Sequence, residues 1–290
     1  MTKKDIIFFG NGPLADYSLE ILAKSCNIIF HAKKKEDLET VKAIKQKNPS
    51  AHGILASFGV IIKSDILDLF EDEGILNIHP SLLPEFRGPS PIETAILRGD
   101  NKFHVSVMKL VKAMDAGPIY YQASTPALID STHASPEDKV TIYRTLAHLA
   151  ASWIVERLGS LSQPQPQSVK NVTFCQKLDK SMSPLLPEEK SATTLMLEIR
   201  AFSGFPKSTL TINGHSCIIL SASVIRKDYV PTPKDYVISS AKSSSAFPTP
   251  IKPSSLLLEC HDGSFLSITE LQPAGKKPMD AKSFINGYLK

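Results

Sequence analysis

Cysteine is scarce in this sequence: there are four among 290 residues, far apart and without a C-x-x-C pair. Zinc ribbons and disulfide frameworks need cysteines at short, regular spacings, so the sequence argues against both kinds of site. The same scarcity favours a reducing compartment. We therefore expect a cytoplasmic protein in which each cysteine is a small buried apolar residue. The four are Cys26, Cys175, Cys217 and Cys260.

Long hydrophobic runs are also missing. No apolar stretch approaches the roughly 20 residues that a helix needs to cross a bilayer, so we expect no membrane partner. The first residues, MTKKDIIFFG, enter a strand-like run at Asp5, so we expect neither a signal peptide nor a transit segment. The 42% of hydrophobic and 21% of charged residues are ordinary for a chain that buries a core.

Excess charge is absent from most of the chain. Basic and acidic residues balance over residues 1–200, so the whole net charge of +4 comes from residues 201–290. A basic surplus confined to one region favours a polyanionic partner such as nucleic acid, because distributed lysines and arginines bind phosphates. A solvated lysine-rich surface would give the same charge, so composition leaves both explanations open.

The first half of the chain alternates strand-like and helical segments. Apolar runs predict the strands, and apolar residues at helical spacing predict the helices between them. The predicted strands are 5–9, 27–30, 53–57 and 74–79, and the predicted helices are 14–24, 35–47 and 64–70. This order predicts an α/β fold with a Rossmann-like, mostly parallel sheet covered on both faces. Such sheets bind ligands beyond the carboxyl ends of their strands.

The middle of the chain extends this pattern. A helix is predicted after Pro91, and two strands, 105–110 and 119–122, flank a turn that contains Asp115. A long amphipathic helix follows at 136–158. Residues 160–168, SLSQPQPQS, then have the composition of a linker.

Beyond a helix predicted at 191–202, the pattern changes to short strands and turns. Strands are predicted at 208–212, 216–222, 256–260 and 265–268, with hairpin turns at Asn213-Gly214 and Asp262-Gly263. A Pro/Ser/Lys-rich stretch from Val230 to Ser255 predicts a long surface loop. We therefore expect a small β-barrel or sandwich. The predicted domains are 1–190 and 200–290, with a proline- and glutamine-rich connection at 160–169.

The polar residues Asn77 and His79 close the strand predicted at 74–79. Residues i and i+2 of a strand point to one face, so an amide donor and an imidazole can converge there. With one carboxylate, for which Asp115 is the best candidate, such a set can transfer an acyl group to an amine. No metal-binding cluster accompanies them, and we expect no metal. A hydrogen-bonded turn asparagine and a buried structural histidine would give the same pattern.

A second motif suggests different chemistry. Residues 10–15, GNGPLA, fit the dinucleotide fingerprint G-x-G-x-x-A between a strand and a helix. The second strand is followed by Lys33, Lys34 and Lys35, with no acidic residue for the ribose hydroxyls. The lysines would suit a 2′-phosphate, so an NADP-dependent oxidoreductase remains an alternative.

The stretch NIHPSLLPEFRGPSPI, residues 77–92, resembles the signature of the folate-dependent formyltransferases. The resemblance implies that Asn77, His79 and Asp115 form the catalytic set and that 10-formyltetrahydrofolate is the formyl donor. It also implies that the segments SFGVI, at 57–61, and SLLP, at 81–84, border the folate. The implied folate-binding residues are Phe58, Gly59, Val60, Ile61, Ser81, Leu82, Leu83, Pro84 and Met114.

Two further segments resemble the methionyl-tRNA formyltransferases within that superfamily. They are VTFCQKL at 172–178 and LQPAGKKPM at 271–279. The resemblance implies a C-terminal OB-like domain that lies against tRNA and an initiator methionyl-tRNA partner for a monomeric enzyme. Lys276 and Lys277, together with Lys33, Lys34 and Lys35, are then candidate nucleic-acid contacts.

The sequence departs from the family pattern at four places, one of which is FHVSVM at 103–108 where the family has T-G-V-T-I-M. Pro80 follows the histidine where the family has Gly or Ala, and Pro118 replaces a second aspartate after Asp115. The long basic loop that reaches the tRNA acceptor end is reduced to residues 31–35. The shortened loop leaves an amino-sugar nucleotide open as an alternative acceptor. A catalytically silent tRNA-binding module is a further alternative, which the intact catalytic set opposes.

Overall fold

Six strands of the N-terminal part form one sheet. They are β1 (Asp5–Phe9), β2 (Asn27–Ala32), β3 (His52–Ala56), β4 (Ile75–His79), β5 (His104–Lys109) and β6 (Ile119–Ser124), in the spatial order β2-β1-β3-β4-β5-β6. The pairs from β2 to β4 are parallel, and the two pairs that add β5 and β6 are antiparallel. The predicted Rossmann-like, mostly parallel sheet is therefore confirmed.

The computed structural model describes residues 3–70, 73–225, 228–238 and 254–289. It divides into two compact units. The first contains Met1–Thr94, Lys102–Leu128 and Val140–Lys177, and the second contains Ala95–Asn101, Ile129–Lys139 and Leu178–Lys290. These limits describe the packing of the chain, whereas the limits given above, 1–190 and 200–290, remain a prediction about functional domains.

The helices of the first half lie between the strands as predicted. They are α1 (Pro13–Ser25), α2 (Asp37–Lys47), α3 (Ser64–Leu67), which continues as a 3-10 turn at Asp68–Phe70, α4 (Pro91–Arg98) and α5 (Pro136–Arg157). In α1, Leu14, Ala15 and Leu22 face the core, in keeping with helical spacing. Pro13 suits the first helical turn because that position needs no N–H donor.

The GNGPLA motif has a structural explanation. Gly10 has φ 142°, and a Cβ atom there would lie 1.8 Å from the carbonyl oxygen of Ala56. Only glycine allows the turn after β1 to approach β3 so closely. The core beside this turn contains Phe9, whose ring packs edge-to-face on Phe58 and Phe70 at centroid distances of 5.8 and 6.2 Å. Packing thus accounts for Gly10 without a dinucleotide.

The second unit is built around a seven-stranded mixed sheet. Its strands are β7 (His133–Ala134), β8 (Ser208–Ile212), β9 (His215–Ile225), β10 (Asp235–Ile238), β11 (Ser255–Glu259), β12 (Phe265–Pro273) and β13 (Met279–Asp280). The order is β10-β11-β12-β9-β7, while β8 pairs with β9 and β13 pairs with β12. Two helices, α6 (Ala192–Ala201) and α7 (Ala281–Tyr288), and a 3-10 turn at Lys180–Met182 complete it. The predicted small β domain is confirmed.

The hairpin turn between β8 and β9 forms as predicted. Asn213 and Gly214 have φ of 48° and 80°, which are the left-handed values that a tight two-residue hairpin requires. The hydrophobic core of this unit joins the inner faces of α6 and α7 to the sheet, and Leu195, Leu266 and Phe284 are fully buried in it. All four cysteines are buried and unpaired, as expected.

One expectation about the second half was wrong, and one helix was missed. The stretch from Val230 to Ser255 was predicted as a loop, but it contains β10, which pairs in parallel with β11. Prolines and serines around the strand hide its short apolar pattern, Tyr236-Val237-Ile238; residues 239–253 lie outside the described part of the chain. The helix α7 was not predicted. Among the described helices, none is both long and apolar enough to cross a membrane.

Candidate active site

The strand β4 delivers Asn77 and His79 to the carboxyl edge of the sheet. All five residues of β4 are buried because the strand lies between β3 and β5. Asn77 is in register with Leu55 on β3 and Met108 on β5. Asn77 and His79 are each only 5% exposed. Their alternation along β4 places both side chains on the same face.

The Asp115 carboxylate meets both residues from the connection between β5 and β6. Its Oδ1 lies 3.4 Å from Asn77 Nδ2 and 3.7 Å from His79 Nδ1. Its Oδ2 accepts a 2.8 Å hydrogen bond from the backbone N–H of Gly88. The structure therefore brings together the amide, the imidazole and the carboxylate that were singled out from the sequence.

The hydrogen bonds of His79 determine which ring nitrogen carries the proton. Nε2 lies 3.0 Å from the carbonyl oxygen of Phe86, and a carbonyl can only accept, so Nε2 donates. In the neutral ring the lone pair is then on Nδ1, which faces Asp115. Burial lowers the pKa of His79, while the Asp115 carboxylate and the Phe86 carbonyl act in the opposite direction. The net effect leaves a neutral imidazole near pH 7, with a basic nitrogen beside a carboxylate.

The loop after β4 is fixed by side-chain hydrogen bonds. The Ser81 hydroxyl donates to the carbonyl of Glu85 over 2.6 Å, and the Ser106 hydroxyl donates to the carbonyl of Ser81 over 2.7 Å. Ser106 also accepts from the N–H of Leu83, whose carbonyl accepts from the Gln122 amide. The loop is therefore a preformed wall beside His79.

The residues expected to bind folate fall into three groups by their exposure. Gly59, Ile61, Leu82 and Met114 are exposed; Ile61 and Met114 are 84% and 64% exposed, and a Cβ on Gly59 would meet no atom within 4 Å. Val60 and Pro84 are half-buried. Phe58, Leu83 and Ser81 are buried, the first two in the core and the third in its own loop. Folate contacts of all nine residues remain predictions.

The sequence did not single out Gln167, which the structure places beside the Asp115 turn. Its Nε2 donates to the carbonyls of Asp115 and Gly117 over 2.7 and 2.8 Å. Its Oε1 accepts from both Nε and Nη2 of Arg87. The composition of residues 160–168 predicted a linker, but Gln165 forms an antiparallel β-bridge with Ile119 of β6. The serine, proline and glutamine residues of this segment form no sequence pattern that would have predicted the role of Gln167.

The segment 172–178 packs along the loop that carries Gly88. The backbone of Arg87 exchanges hydrogen bonds with Thr173 and Cys175, and the Thr173 hydroxyl accepts from the N–H of Phe86. A Cβ on Gly88 would lie 2.9 Å from the Cys175 carbonyl oxygen, so this contact requires glycine. The VTFCQKL motif therefore buttresses the wall of the site.

The lysines proposed as nucleic-acid contacts lie on two short turns. Lys33, Lys34 and Lys35 are exposed on the connection between β2 and α2, where Asp37 accepts from the N–H groups of Lys33 and Lys34. Lys276 and Lys277 are exposed on the turn between β12 and β13. The two groups belong to different compact units.

This constellation has the parts that acyl transfer to an amine needs. The amide of Asn77 could donate to a developing oxyanion, neutral His79 could accept a proton, and Asp115 could stabilise the protonated imidazole. In the described residues, no three His, Cys, Asp or Glu side chains are grouped to hold a metal ion. The fold and the site thus define a class: α/β enzymes that transfer an acyl-type group.

Comparison with known proteins narrows this class. Residues 13–158 match the family model described as formyl transferase, and residues 189–289 match the model described as formyl transferase, C-terminal domain. The chain belongs to the formyltransferase family and is a formyl-transferring enzyme.

Curated relatives match over most of the chain. The methionyl-tRNA formyltransferase of Dechloromonas aromatica (strain RCB) is 31% identical over 236 residues, which are 81% of this chain and 69% of the relative. The methionyl-tRNA formyltransferase of Methylococcus capsulatus (strain ATCC 33009 / NCIMB 11132 / Bath) is 33% identical over 240 residues, which are 81% of this chain and 70% of the relative.

Solved structures with 17% or 18% sequence identity share the fold. Methionyl-tRNA formyltransferase from Clostridium thermocellum superposes with a TM-score of 0.59 at 18% identity, covering 79% of this chain and 96% of that one. WlaRD, a sugar 3N-formyl transferase, gives 0.61 at 17% identity, covering 96% and 100%. HypX from Aquifex aeolicus, solved in complex with tetrahydrofolic acid, gives 0.69 at 18% identity, covering 100% and 48%.

Proposed function

We propose that this enzyme transfers the formyl group of 10-formyltetrahydrofolate to the α-amine of initiator methionyl-tRNA. The observation that carries the proposal is the Asn77–His79–Asp115 cluster at the carboxyl end of β4. Curated relatives at 31% and 33% identity, each named methionyl-tRNA formyltransferase, support this choice of acceptor.

The surface around the cluster fits a folate donor. A pterin ring is flat and partly apolar, and it needs apolar walls with a few backbone polar groups. Ile61, Leu82 and Met114 offer exposed apolar side chains on three loops, after β3, after β4 and between β5 and β6. Gly59 leaves open space in the loop after β3. These residues would hold the donor, which brings the activated formyl group.

Asn77 would stabilise charge on the formyl oxygen. As the neutral amine attacks the formyl carbon, negative charge develops on that oxygen, and a buried amide N–H is an effective donor to it. Asn77 is suited to this role because its hydrogen bond to Asp115 is long, 3.4 Å, and orients the amide without tightly engaging it.

His79 would take the proton that the attacking amine loses. Its Nε2–H is engaged by the Phe86 carbonyl, so Nδ1 is the nitrogen that is free to accept in the neutral ring. Asp115 would stabilise the imidazolium and allow the proton to pass onward to the leaving nitrogen of the donor. In this mechanism, His79 acts as a base rather than as a second oxyanion donor.

The acceptor would be held by electrostatic contacts to the tRNA backbone. The connection between β2 and α2 is only residues 33–36, so Lys33, Lys34 and Lys35 offer a short basic surface there. Lys276 and Lys277 would contact tRNA phosphates from the C-terminal domain. We further propose that the enzyme functions as a monomer in the cytoplasm, where charged initiator tRNA is used.

An amino-sugar nucleotide is the second candidate acceptor. The observation that favours it is the short connection at residues 33–36, where the sequence lacks the long basic loop expected for reaching a tRNA acceptor end. The curated relatives favour methionyl-tRNA instead.

A transfer assay distinguishes these acceptors. Labelled 10-formyltetrahydrofolate is incubated with enzyme and initiator Met-tRNA, elongator Met-tRNA or a panel of amino-sugar nucleotides. We expect label on the initiator tRNA alone. Label on both tRNAs would support the proposed formyl transfer but show that the enzyme does not select the initiator tRNA. Label only on a sugar would overturn the proposed acceptor.

A further inference from the structure

The side-chain amide of Gln167 joins two loops of the site. Its oxygen faces the Arg87 guanidinium, with donor distances of 3.1 Å from Nε and 2.6 Å from Nη2. Its nitrogen faces the carbonyl oxygens of Asp115 and Gly117. A guanidinium only donates and a carbonyl only accepts, so this orientation of the amide is the one that satisfies all four contacts.

These contacts complete a closed ring of interactions around the Asp115 carboxylate. Its Oδ2 accepts from the N–H of Gly88, the residue that follows Arg87. Arg87 binds Gln167, and Gln167 returns to the backbone of Asp115 itself. Side chain and backbone of Asp115 are thus tied to the same neighbouring loop by two separate routes.

The backbone at Asp115 needs such support. Asp115 has φ 47°, a left-handed value that is uncommon for a residue with a side chain. A Cβ on Gly117 would lie 1.8 Å from the Lys109 carbonyl oxygen, so the turn is also pressed against the end of β5. Residues in sparsely populated backbone regions keep that conformation when their surroundings hold it.

We propose that Gln167 is a positioning residue that sets the Asp115 carboxylate against His79 and Asn77. This inference rests on the proposed function for its catalytic consequence, while its structural content stands on the contacts of Gln167. Gln167 does not touch the proposed reacting atoms and acts through the Asp115 turn. A shift of about 1 Å in a catalytic group can cost about 10²-fold in rate.

The side-chain amide of Gln167 should be essential because it accepts hydrogen bonds through its oxygen and donates them through its nitrogen. In Gln167→Glu, one carboxylate oxygen still accepts from Arg87, but the other faces two carbonyl oxygens and repels them. Protonation would turn that oxygen into a donor. The deficit of Gln167→Glu relative to the wild type should therefore shrink as the pH falls, whereas Gln167→Ala should show a deficit that is independent of pH.

The test combines a structural reporter with the rate of the chemical step. The Gly88 amide proton reports on Asp115 Oδ2, so its NMR shift is compared in wild type, Gln167→Ala and Asp115→Ala. The transfer rate is measured in single turnover for wild type, Gln167→Ala and Gln167→Glu. Gln163→Ala, an exposed glutamine of the same segment, is the matched control. Thermal unfolding of each variant monitors folding.

We expect the Gly88 signal of Gln167→Ala to move most of the way to its position in Asp115→Ala. The transfer rate should fall tenfold or more, with donor affinity within about twofold of wild type. A Gly88 signal that stays at its wild-type position in a folded variant would overturn the proposal, and so would an unchanged transfer rate. If wild-type enzyme transfers no formyl group, the proposed function fails, and the Gly88 signal still decides the role of Gln167.

Discussion

In the Asn77–His79–Asp115 cluster, His79 Nδ1 faces Asp115 Oδ1 across 3.7 Å, beyond the length of an ordinary hydrogen bond. The other nitrogen of His79 donates to the Phe86 carbonyl, so the neutral ring directs a lone pair toward the carboxylate. A proton that arrives at Nδ1 would turn this contact into an attractive ion pair. In the proposed mechanism, this arrangement would favour proton uptake by His79 when a substrate amine releases its proton.

Replacing Asn77 tests the oxyanion role. In Asn77→Ala, loss of one preorganised donor should lower kcat about 10²–10³-fold with little change in donor affinity. Single-turnover kinetics and folate binding measure the two effects. Asn286→Ala, an exposed asparagine on α7, serves as the control and should keep wild-type rates. A kcat within a few-fold of wild type in Asn77→Ala would remove this residue from the mechanism.

The dependence of the rate on pH tests the base role of His79. Burial holds the pKa of His79 below its usual 6.5, and neutral His79 is the reactive form, so the rate should fall as pH decreases through that pKa. The substrate amine must also be neutral to react. The plot of log kcat/KM against pH should therefore become steeper below the pKa of His79, where both groups are being protonated.

Asp115→Asn provides the discriminating variant. The carboxylate raises the pKa of His79, so its removal should move the steepening to lower pH while also slowing the reaction. The matched measurement is the full profile of log kcat/KM for both proteins. If the profile becomes steeper at the same pH in both proteins, the observed ionisation does not belong to His79.

Stability should also depend on pH through two histidines, the buried His79 and the half-buried His52. The pKa values of His52 and His79 are lowered by burial in the folded state, so the unfolded chain binds more protons below about pH 6.5. The free energy of unfolding should therefore decrease as the pH falls below that value. Each histidine contributes at most about 1.4 kcal/mol per pH unit.

Denaturant unfolding of His79→Gln from pH 7 to pH 5 measures this linkage. The slope of the unfolding free energy against pH should be smaller in this variant than in the wild type, whatever its absolute stability. His52→Gln should show a separate reduction, because His52 lies against Glu73 rather than Asp115. Parallel curves for His79→Gln and the wild type would show that His79 does not titrate differently on folding.

Exposed and buried members of the proposed folate surface should respond differently. Ile61→Ser and Met114→Ser remove exposed apolar groups, so each should weaken donor binding roughly five- to tenfold without loss of stability. Phe58→Ala should instead destabilise the fold by about 3–5 kcal/mol because its ring packs in the core. Calorimetric binding and chemical unfolding separate the effects. Val169→Ser, at a 92% exposed position, should change neither quantity.

The two lysine groups make separable predictions for tRNA binding. Changing Lys276 and Lys277 to Gln should reduce the slope of log K against log salt concentration by about 0.9 for each phosphate contact that is lost. The triple change of Lys33, Lys34 and Lys35 tests the other surface. Filter binding from low to high salt gives the slopes. The control is the double variant Lys47→Gln with Lys63→Gln, which changes two other exposed lysines. If the variant of a lysine group gives the same slope as this control, that group is ordinary solvated surface and does not contact tRNA.

The local sequence pattern was enough to predict much of the fold. The apolar runs that give β1, β3 and β4 are uninterrupted, and parallel strands buried on both faces require such runs. The strand β10 escaped prediction because its four residues lie among prolines and serines, and pairing with β11 stabilises it. The helix α7 escaped because it is short, and its buried face is defined by contact with the β domain.

The sequence by itself determined that Asn77 and His79 share one face at the end of a buried strand, because strand geometry repeats every two residues. The sequence offered Asp115 only as the best carboxylate candidate, and the tertiary structure decided that it lies beside them and that Nδ1 of His79 faces it. Asp115 lies 38 positions beyond Asn77, and Gln167 lies 52 positions beyond Asp115. Hydrogen bonds reach only about 3 Å, so loop packing rather than local sequence decides whether such distant residues meet.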